Sequence, residues 1–252
     1  MDSKISELKA IISNSDNIVF FGGAGVSTES GIPDFRSAGG LYDESSGQKS
    51  NAEYSKYPPE TILSHSFFMA HTKEFYRFYR EKLLYPDAEP NDAHIALAEL
   101  EKRGKLKAVI TQNVDGLHTK AGSINVLELH GSALRNICMS CNECYTLEKI
   151  LNTEGVPLCA CGGIIKPDVV LYEEVLDQSV IKKAVLAIRD ADVMIVGGTS
   201  LNVYPAAGMI DYYHGKNLIL INKSETPYDR YADLIIRESI GYTLGKAIME
   251  TE

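Results

Sequence analysis

Four groups of residues in this chain have the types and spacing for chemistry. The first is the run Gly23-Ala-Gly-Val-Ser-Thr-Glu-Ser-Gly-Ile-Pro-Asp-Phe-Arg36, which follows the apolar stretch Asn17-Ile-Val-Phe-Phe21. A buried strand, a turn of small residues and a polar segment is how α/β folds bring backbone close to a phosphate. Gly23 and Gly25 let the main chain approach a bulky anion with no Cβ in the way. The usual dinucleotide fingerprint needs a third glycine where Thr28 stands, and a Walker loop needs a lysine that this run lacks. The run therefore predicts a nucleotide pyrophosphate held in an unusual manner. A plain βα turn would explain Gly-x-Gly alone, but not the particular continuation SGIPDFR.

The second group, Gln112, Asn113 and Asp115, follows the strand-like run 107–111. Amides grip ribose hydroxyls, and a carboxylate accepts from a carboxamide NH₂; Asn113 or Asp115 would also serve as an ordinary helix cap. The third is His130, which ends a strand-like run and precedes Gly131-Ser132. It is either a structural histidine or a base titrating near neutral pH, as proton removal from a hydroxyl requires. The fourth is the cysteine cluster, Cys138-x-x-Cys141 and Cys159-x-Cys161, with Cys144 offering Cys141/Cys144 as a competing pair. Two close pairs suit one tetrahedral Zn²⁺, and four thiolates close its shell, so such a zinc is structural. It would supply folding energy to a segment too small to bury its own core. A further stretch, Val169-Val-Leu-Tyr172, is β-branched and aromatic and reads as a buried strand or as an edge that pairs an extended peptide.

The elements that must position these groups alternate. Strand-like runs fall at 17–21, 107–111, 125–129, 192–197, 217–222 and 233–236; helical patterns fall at the N-terminus (Ile5, Leu8, Ile11, Ile12) and at 60–83, 92–103, 178–190, 205–214 and 241–250. Such alternation predicts a mostly parallel sheet covered on both faces, with ligands at the carboxyl ends of its strands. Gly23, Gln112, His130, Gly198 and Asn222 each end or follow a predicted strand, which gathers them on one rim. Residues 37–59 lack periodicity and read as a long loop, placed as a lid over the nucleotide motif. Residues 132–166 hold all five cysteines and read as a small inserted module.

With 252 residues and 44% apolar content, the chain has material for one main core and a small insert. It has no apolar run long enough for a transmembrane helix and no secretory signal pattern, so a cytoplasmic protein with reduced thiols is expected. A net charge of −9, from 25 basic and 34 acidic residues, argues against non-specific nucleic-acid binding; it suits basic, lysine-bearing partners and equally serves simply to keep the protein in solution.

The run Gly23–Arg36 is followed in order by TQNVDGLH (Thr111–His118), LHG (Leu129–Gly131), the cysteine pairs, KPDVVLYEE (Lys166–Glu174), GGTSLNVYP (Gly197–Pro205) and Ile221-Asn222. Over nearly the whole chain these motifs resemble those of the sirtuins, NAD-dependent protein deacylases, in a bacterial-type single-domain form. The resemblance implies a Rossmann-like sheet over 1–131 and 167–252, with the cofactor lid near 37–59, and a zinc module over 132–166. It implies NAD⁺, one structural Zn²⁺ on Cys138, Cys141, Cys159 and Cys161, and acetylated-lysine protein substrates, with no nucleic acid or membrane partner and a monomeric state. His130 matches the catalytic base, with Asn113 and Asp115 beside it. Cofactor contacts match Gly23, Ala24, Gly25, Thr28, Asp34, Phe35 and Arg36, then Gln112, Asn113, Val114, Asp115 and His130, then Gly198, Thr199, Ser200, Asn222 and Ile240. Val170 and Tyr172 match the acyl-lysine tunnel.

The activity so implied moves acetyl from lysine to ADP-ribose with release of nicotinamide. The alternatives are protein mono-ADP-ribosyl transfer and a non-catalytic NAD sensor. Two departures stand out: Cys159-x-Cys161 is one residue tighter than the family's more frequent spacing, and Glu173-Glu174 replaces its Gly-Glu. The Tyr-x-x-Arg pair of members that favour acidic acyl groups is absent, since Arg77 and Arg80 are each one position out of register with Tyr76 and Tyr79.

Overall fold

The computed structural model describes residues 2–35, 40–41 and 53–250. The expected contact Arg36 and most of the expected lid, 37–59, lie outside the described residues.

A six-stranded sheet forms from β1 (Ile18–Gly22), β2 (Leu106–Thr111), β3 (Val126–Glu128), β7 (Val193–Gly197), β8 (Asn217–Ile221) and β9 (Leu234–Ile236). Its order is β3-β2-β1-β7-β8-β9, and every neighbouring pair is parallel. These strands are largely apolar because helices cover both faces, with polar residues such as Lys107, Glu128 and Asn217 confined to their ends or to an exposed position. All five residues of β1 are buried, and alternate side chains enter opposite cores. Ile18 and Phe20 meet α1 (Asp2–Ser13), α5 (Asp92–Lys102) and α9 (Ile240–Leu244) through Leu8, Leu97 and Leu244. Val19 and Phe21 meet α8 (Gln178–Asp190) and the 3₁₀ turn Ala207–Tyr212 through Ala184, Ile188 and Ile210. Phe20 and Phe21 are fully buried, each contributing about 1.5–3 kcal/mol.

The strand order reverses between β1 and β7, so the loops leaving those two strands diverge at the switch point where open α/β sheets bind ligands. Two other helical expectations take different forms. Residues 60–83 break into α2 (Pro59–Ile62), α3 (His65–Ala70) and α4 (Thr72–Lys82). Tertiary contacts cause the first break: Ser64 bridges to Tyr172 and turns its hydroxyl to cap Phe67 N. At 241–250, α9 passes into a π-helical turn, Gly245–Met249.

Helix α6 (Leu117–Lys120) follows β2 directly. The cysteine region carries strands that composition does not announce. β4 (Gly131–Cys138), β5 (Cys144–Thr146) and β6 (Ile165–Val169) form an antiparallel sheet, ordered β5-β4-β6, with α7 (Leu147–Leu151) beside it. Its apolar side, including Cys138, Ile150 and Ile165, packs with Phe68, Phe75, Tyr76 and Tyr79 of α3 and α4.

Candidate functional site

The first-strand loop and the loop after β7 interlock at the switch point. Gly23 N donates to Gly197 O at 3.3 Å and Gly25 N to Gly198 O at 2.8 Å. A Cβ on Gly23 would stand 2.8 Å from Thr199 Cβ, and one on Gly25 would stand 2.8 Å from Gly198 Cα. The glycines expected to make room for an anion thus also make room for the neighbouring loop. Gly198 has φ +59, a conformation that favours glycine. Ala24 lies in a 3₁₀ turn, Ala24–Val26, and Thr28 starts a second, Thr28–Ser30, with its hydroxyl donating to Gly25 O. Asn91, the N-cap of α5, ties this loop down through Nδ2 to Val26 O at 2.8 Å and Ser30 Oγ at 2.9 Å.

The loop after β2 joins the same rim. Gln112 Nε2 donates to Thr199 Oγ1 at 3.0 Å. Asn113 Nδ2 donates to Ser27 Oγ at 3.0 Å, and Ser27 Oγ donates to Asp115 Oδ2 at 2.7 Å. Ser27 therefore joins the two polar groups singled out in the sequence. It was missed there, although a hydroxyl inside the small-residue loop is the signal that would find it. Asp115 Oδ1 also accepts Leu117 N, at the start of α6. Val114 holds the small sheet through its carbonyl, which accepts Ala133 N. A cavity of about 130 Å³ opens beside Asp115, lined by Ile32, Leu84, Leu117, Ala133 and Leu134. A larger one, about 290 Å³, lies at the opposite, amino-terminal end of β7 and β8, near Asn14, Asp192 and Lys216, away from these groups.

His130 sits between β3 and β4. Its Nδ1 is 3.0 Å from Gln112 O. A carbonyl only accepts, so Nδ1 carries the proton and Nε2 presents the lone pair. Burial holds the imidazole below its ordinary value, opposed by that hydrogen bond, which keeps it neutral near pH 7. Gly131, at φ +74, turns the chain so closely onto Asp168 that a Cβ would strike its carbonyl oxygen.

The other expected contacts spread along the rim. Asn222 N donates to Ile236 O, and Asn222 Nδ2 donates to Ser224 O. Ser200 is half-buried beside the buried Thr199. Asp34 O accepts Leu41 N, and Phe35 packs against the aromatic core of the small sheet. Ile240 is a core side chain at 4% exposure, so its side chain faces the sheet beneath Gly197.

The four expected zinc ligands come together. Their sulfur atoms all lie within 4.8 Å of one another. Three separations are 3.5, 3.5 and 3.4 Å, for Cys138–Cys161, Cys141–Cys159 and Cys141–Cys161. A tetrahedron of thiolates at zinc has edges of about 3.8 Å, and none of the five cysteines is in a disulfide. The donor set fits a closed structural zinc site, and the one-residue spacing of the second pair is no obstacle. Cys144 is exposed, with Sγ turned toward Asn142 O.

The family model described as Sir2 family matches residues 23–205. This chain belongs to the Sir2 family. It is 62% identical over 250 residues to the NAD-dependent protein deacetylase of Clostridium perfringens (strain 13 / Type A), covering 98% of this chain and 100% of that one. Its structure is similar to one described under "Structural Basis for the Mechanism and Regulation of Sir2 Enzymes", with TM-score 0.85, 39% identity and coverage of 99% and 98%. It is also similar to a complex described as Sir2-p53 peptide-NAD+, with TM-score 0.82, 37% identity and coverage of 97% of each chain.

Two features of this Sir2-family chain concern the KPDVVLYEE segment. The strand of the KPDVVLYEE segment is Ile165–Val169, and the groups beyond it are largely engaged. Val170 N donates to His130 O, Leu171 N to Glu174 Oε2, Tyr172 N to Leu63 O, and Tyr172 O accepts His65 N. These bonds tie the stretch to His130, between β3 and β4, and to the turn between α2 and α3. Glu173, in the family's glycine position, takes φ +75 and accepts Ser66 N and Ser66 Oγ, both at 2.9 Å. Those two bonds offset the cost of a left-handed non-glycine residue, about 1–3 kcal/mol. Glu174 accepts from Lys166 at 3.0 Å and meets His65 at 2.8 Å, which fixes the segment against α3.

Proposed function

We propose that the chain is an NAD-dependent protein-lysine deacetylase in which His130 is the general base and Asn113, Asp115 and Ser27 orient the cofactor. The observation that carries this reading is the Gln112 carbonyl fixing the His130 tautomer, on the rim where the nucleotide loops meet. Bound NAD⁺ supplies a nicotinamide–ribose bond whose breakage offers an electrophilic carbon to the acetyl oxygen of the substrate lysine. Nε2 of His130 accepts a ribose hydroxyl proton, and Nδ1–H stays with Gln112 O. Asp115 keeps acceptor capacity for a carboxamide beside the cavity lined by Ile32 and Leu117. Gly23, Ala24, Gly25, Thr28, Gly198, Thr199, Ser200 and Asn222 are assigned to the nucleotide, and Asp34, Phe35, Arg36, Gln112 and Val114 to the cofactor's nicotinamide half. The backbone of Ile240, at the start of α9, is assigned to the adenine end. Val170 and Tyr172 are assigned to the acyl-lysine tunnel.

Acetylated-lysine segments of proteins are the substrate class in this reading, and the net charge of −9 suits their basic surroundings. The reading includes a cytoplasmic monomer with neither nucleic acid nor membrane as partner. Among the described residues no helix is long and apolar enough to cross a membrane. It also includes a larger unit, 1–131 and 167–252, around a zinc module at 132–166; the separate sheets support that division, and α2–α4 pack on the module side.

The deciding experiment incubates the purified chain with an acetyl-lysine peptide, with and without NAD⁺, and identifies products by mass. O-acetyl-ADP-ribose, nicotinamide and free lysine are expected only with NAD⁺. ADP-ribosylated protein without O-acetyl-ADP-ribose would replace this reading with the transferase, and no turnover would replace it with the sensor.

A further inference from the structure

We propose that Tyr145 is an outer-sphere partner of the zinc site: its hydroxyl donates to the Cys159 thiolate and slows loss of the metal. The proposal rests on the reading of Cys138, Cys141, Cys159 and Cys161 as the zinc ligands. The Tyr145 hydroxyl is 3.1 Å from Cys159 Sγ. Two backbone donors to these sulfurs are longer, Ser140 N at 3.4 Å from Cys138 Sγ and Cys161 N at 3.5 Å from the same Cys159 Sγ.

Strand geometry explains why this residue, and not its cysteine neighbour, addresses the metal. Cys144 and Tyr145 are successive residues of β5, so their side chains leave opposite faces. Cys144 is carried to the exposed side. Tyr145, opposite Asn136 of β4, is carried inward, and its ring packs against the cluster that contains Cys138, Ile150, Cys159 and Ile165. Four thiolates about one Zn²⁺ leave a surplus of negative charge, and two of the four sulfurs belong to buried cysteines that water serves poorly. A hydroxyl aimed at one of those two draws electron density from the sulfur, stabilises the charged cluster and fixes the ligand's orientation. The ring also joins the metal to β5, so a departing Cys159 must first give up a contact that the apolar core holds in place.

The test uses the full zinc-loaded chain and Tyr145→Phe, which keeps the ring and removes the donor. Zinc release to an excess of a colorimetric chelator is followed, and the thiolate-to-metal charge-transfer band is recorded after cobalt replaces zinc. Loss of an outer-sphere partner typically costs about 10–100-fold in metal affinity, so release is expected to be at least about tenfold faster, with a shifted cobalt band. Cys144→Ser should change neither. Unchanged release overturns the proposal. Faster release with an unmoved cobalt band also overturns it, because the hydroxyl would then act on packing and not on sulfur. If Tyr145→Phe fails to fold, the unsubstituted chain loaded with NMR-active cadmium decides: the Tyr145 hydroxyl proton should couple to the metal through Cys159, and absence of that coupling overturns the assignment. The zinc content of the unsubstituted chain tests the ligand reading separately, with about one ion per chain expected.

Discussion

At the scale of single residues, the site depends on where protons and lone pairs point. Gln112 contributes twice, with its side chain bound to Thr199 and its carbonyl to His130. His130→Ala should lower the deacylation rate by at least about 100-fold while NAD binding and the thermal melt largely survive, the usual scale for a positioned general base. Near-normal turnover would remove His130 from that role. Because burial depresses the imidazole, the neutral base already predominates at neutral pH. The acid limb of kcat/KM, with a histidine ordinarily near 6.5, should therefore fall below that value. A limb above it would show that another group is being read. His130 could be found from sequence because a histidine in LHG stands out; its tautomer could not, because the carbonyl that sets it belongs to the loop after another strand, 18 residues away.

At the scale of elements, two arrangements decide affinity and acyl preference. The loops after β1 and β7 touch through backbone, so Gly198→Ala forces a side chain into the left-handed region and into Val26 N. That should cost at least about 2 kcal/mol, lower Tm by about 5 °C and raise KM for NAD⁺. An unchanged melt and KM would mean that the loops separate freely. On α4, Arg80 donates to Ile150 O at 3.0 Å and Gly155 O at 2.8 Å, and Arg77 pairs with Glu81. Tyr76 is bound to Ile165 O, and the buried Tyr79 hydroxyl has no hydrogen-bond partner among the described residues. Both arginines on this face of the helix are thus engaged elsewhere, leaving neither to fork onto an acyl carboxylate, which would lose its hydration without replacement. Acetyl-lysine should exceed succinyl-lysine in kcat/KM on the same peptide by at least about tenfold, the scale of one lost charge-assisted bond. Equal values would sink this argument.

At the scale of the whole molecule, the metal and a buried histidine pair connect site and stability. Cys138→Ser should release zinc and lower the melting temperature, because the metal supplies folding energy to the small sheet. Cys144→Ser should leave both unchanged; metal loss in that variant would reassign the ligands. Behind Asp115, His94 and His118 lie with ring centroids 4.7 Å apart. Burial lowers His94 to about 4, opposed by the charge of Asp115, and lowers His118 to about 3, with His94 as a second cause. Between their unfolded values near 6.5 and these folded ones, only the unfolded chain takes up protons. Stability is therefore complete above about pH 6.5 and declines as pH falls. From about pH 7.5 to about pH 5.5 the pair should remove about 3 kcal/mol, or about 8 °C in Tm. His94→Gln should flatten that slope, and an unaltered slope would place its origin elsewhere.

The sequence by itself determined the parallel sheet, its strand positions and the membership of the rim. Continuous apolar runs such as Ile18–Gly22 and local motifs such as Gly23–Arg36 carry those signals without reference to the rest of the chain. It also marked the close cysteine pairs, whose spacing is local, but spacing alone left Cys141/Cys144 open against Cys138/Cys141, and the fold gathers Cys138, Cys141, Cys159 and Cys161. Only the tertiary structure decided that the 60–83 pattern breaks at Ser64, where a bridge to Tyr172 outcompetes helix propensity. Nor could the sequence place β4–β6, whose short strands gain their core only against α3 and α4. The same holds for Ser27 between Asn113 and Asp115, for Glu173 on Ser66 and for Tyr145 on Cys159. Each of these is a hydrogen bond between residues distant in sequence, and its geometry exists only once the elements and loops that carry the partners have been set side by side.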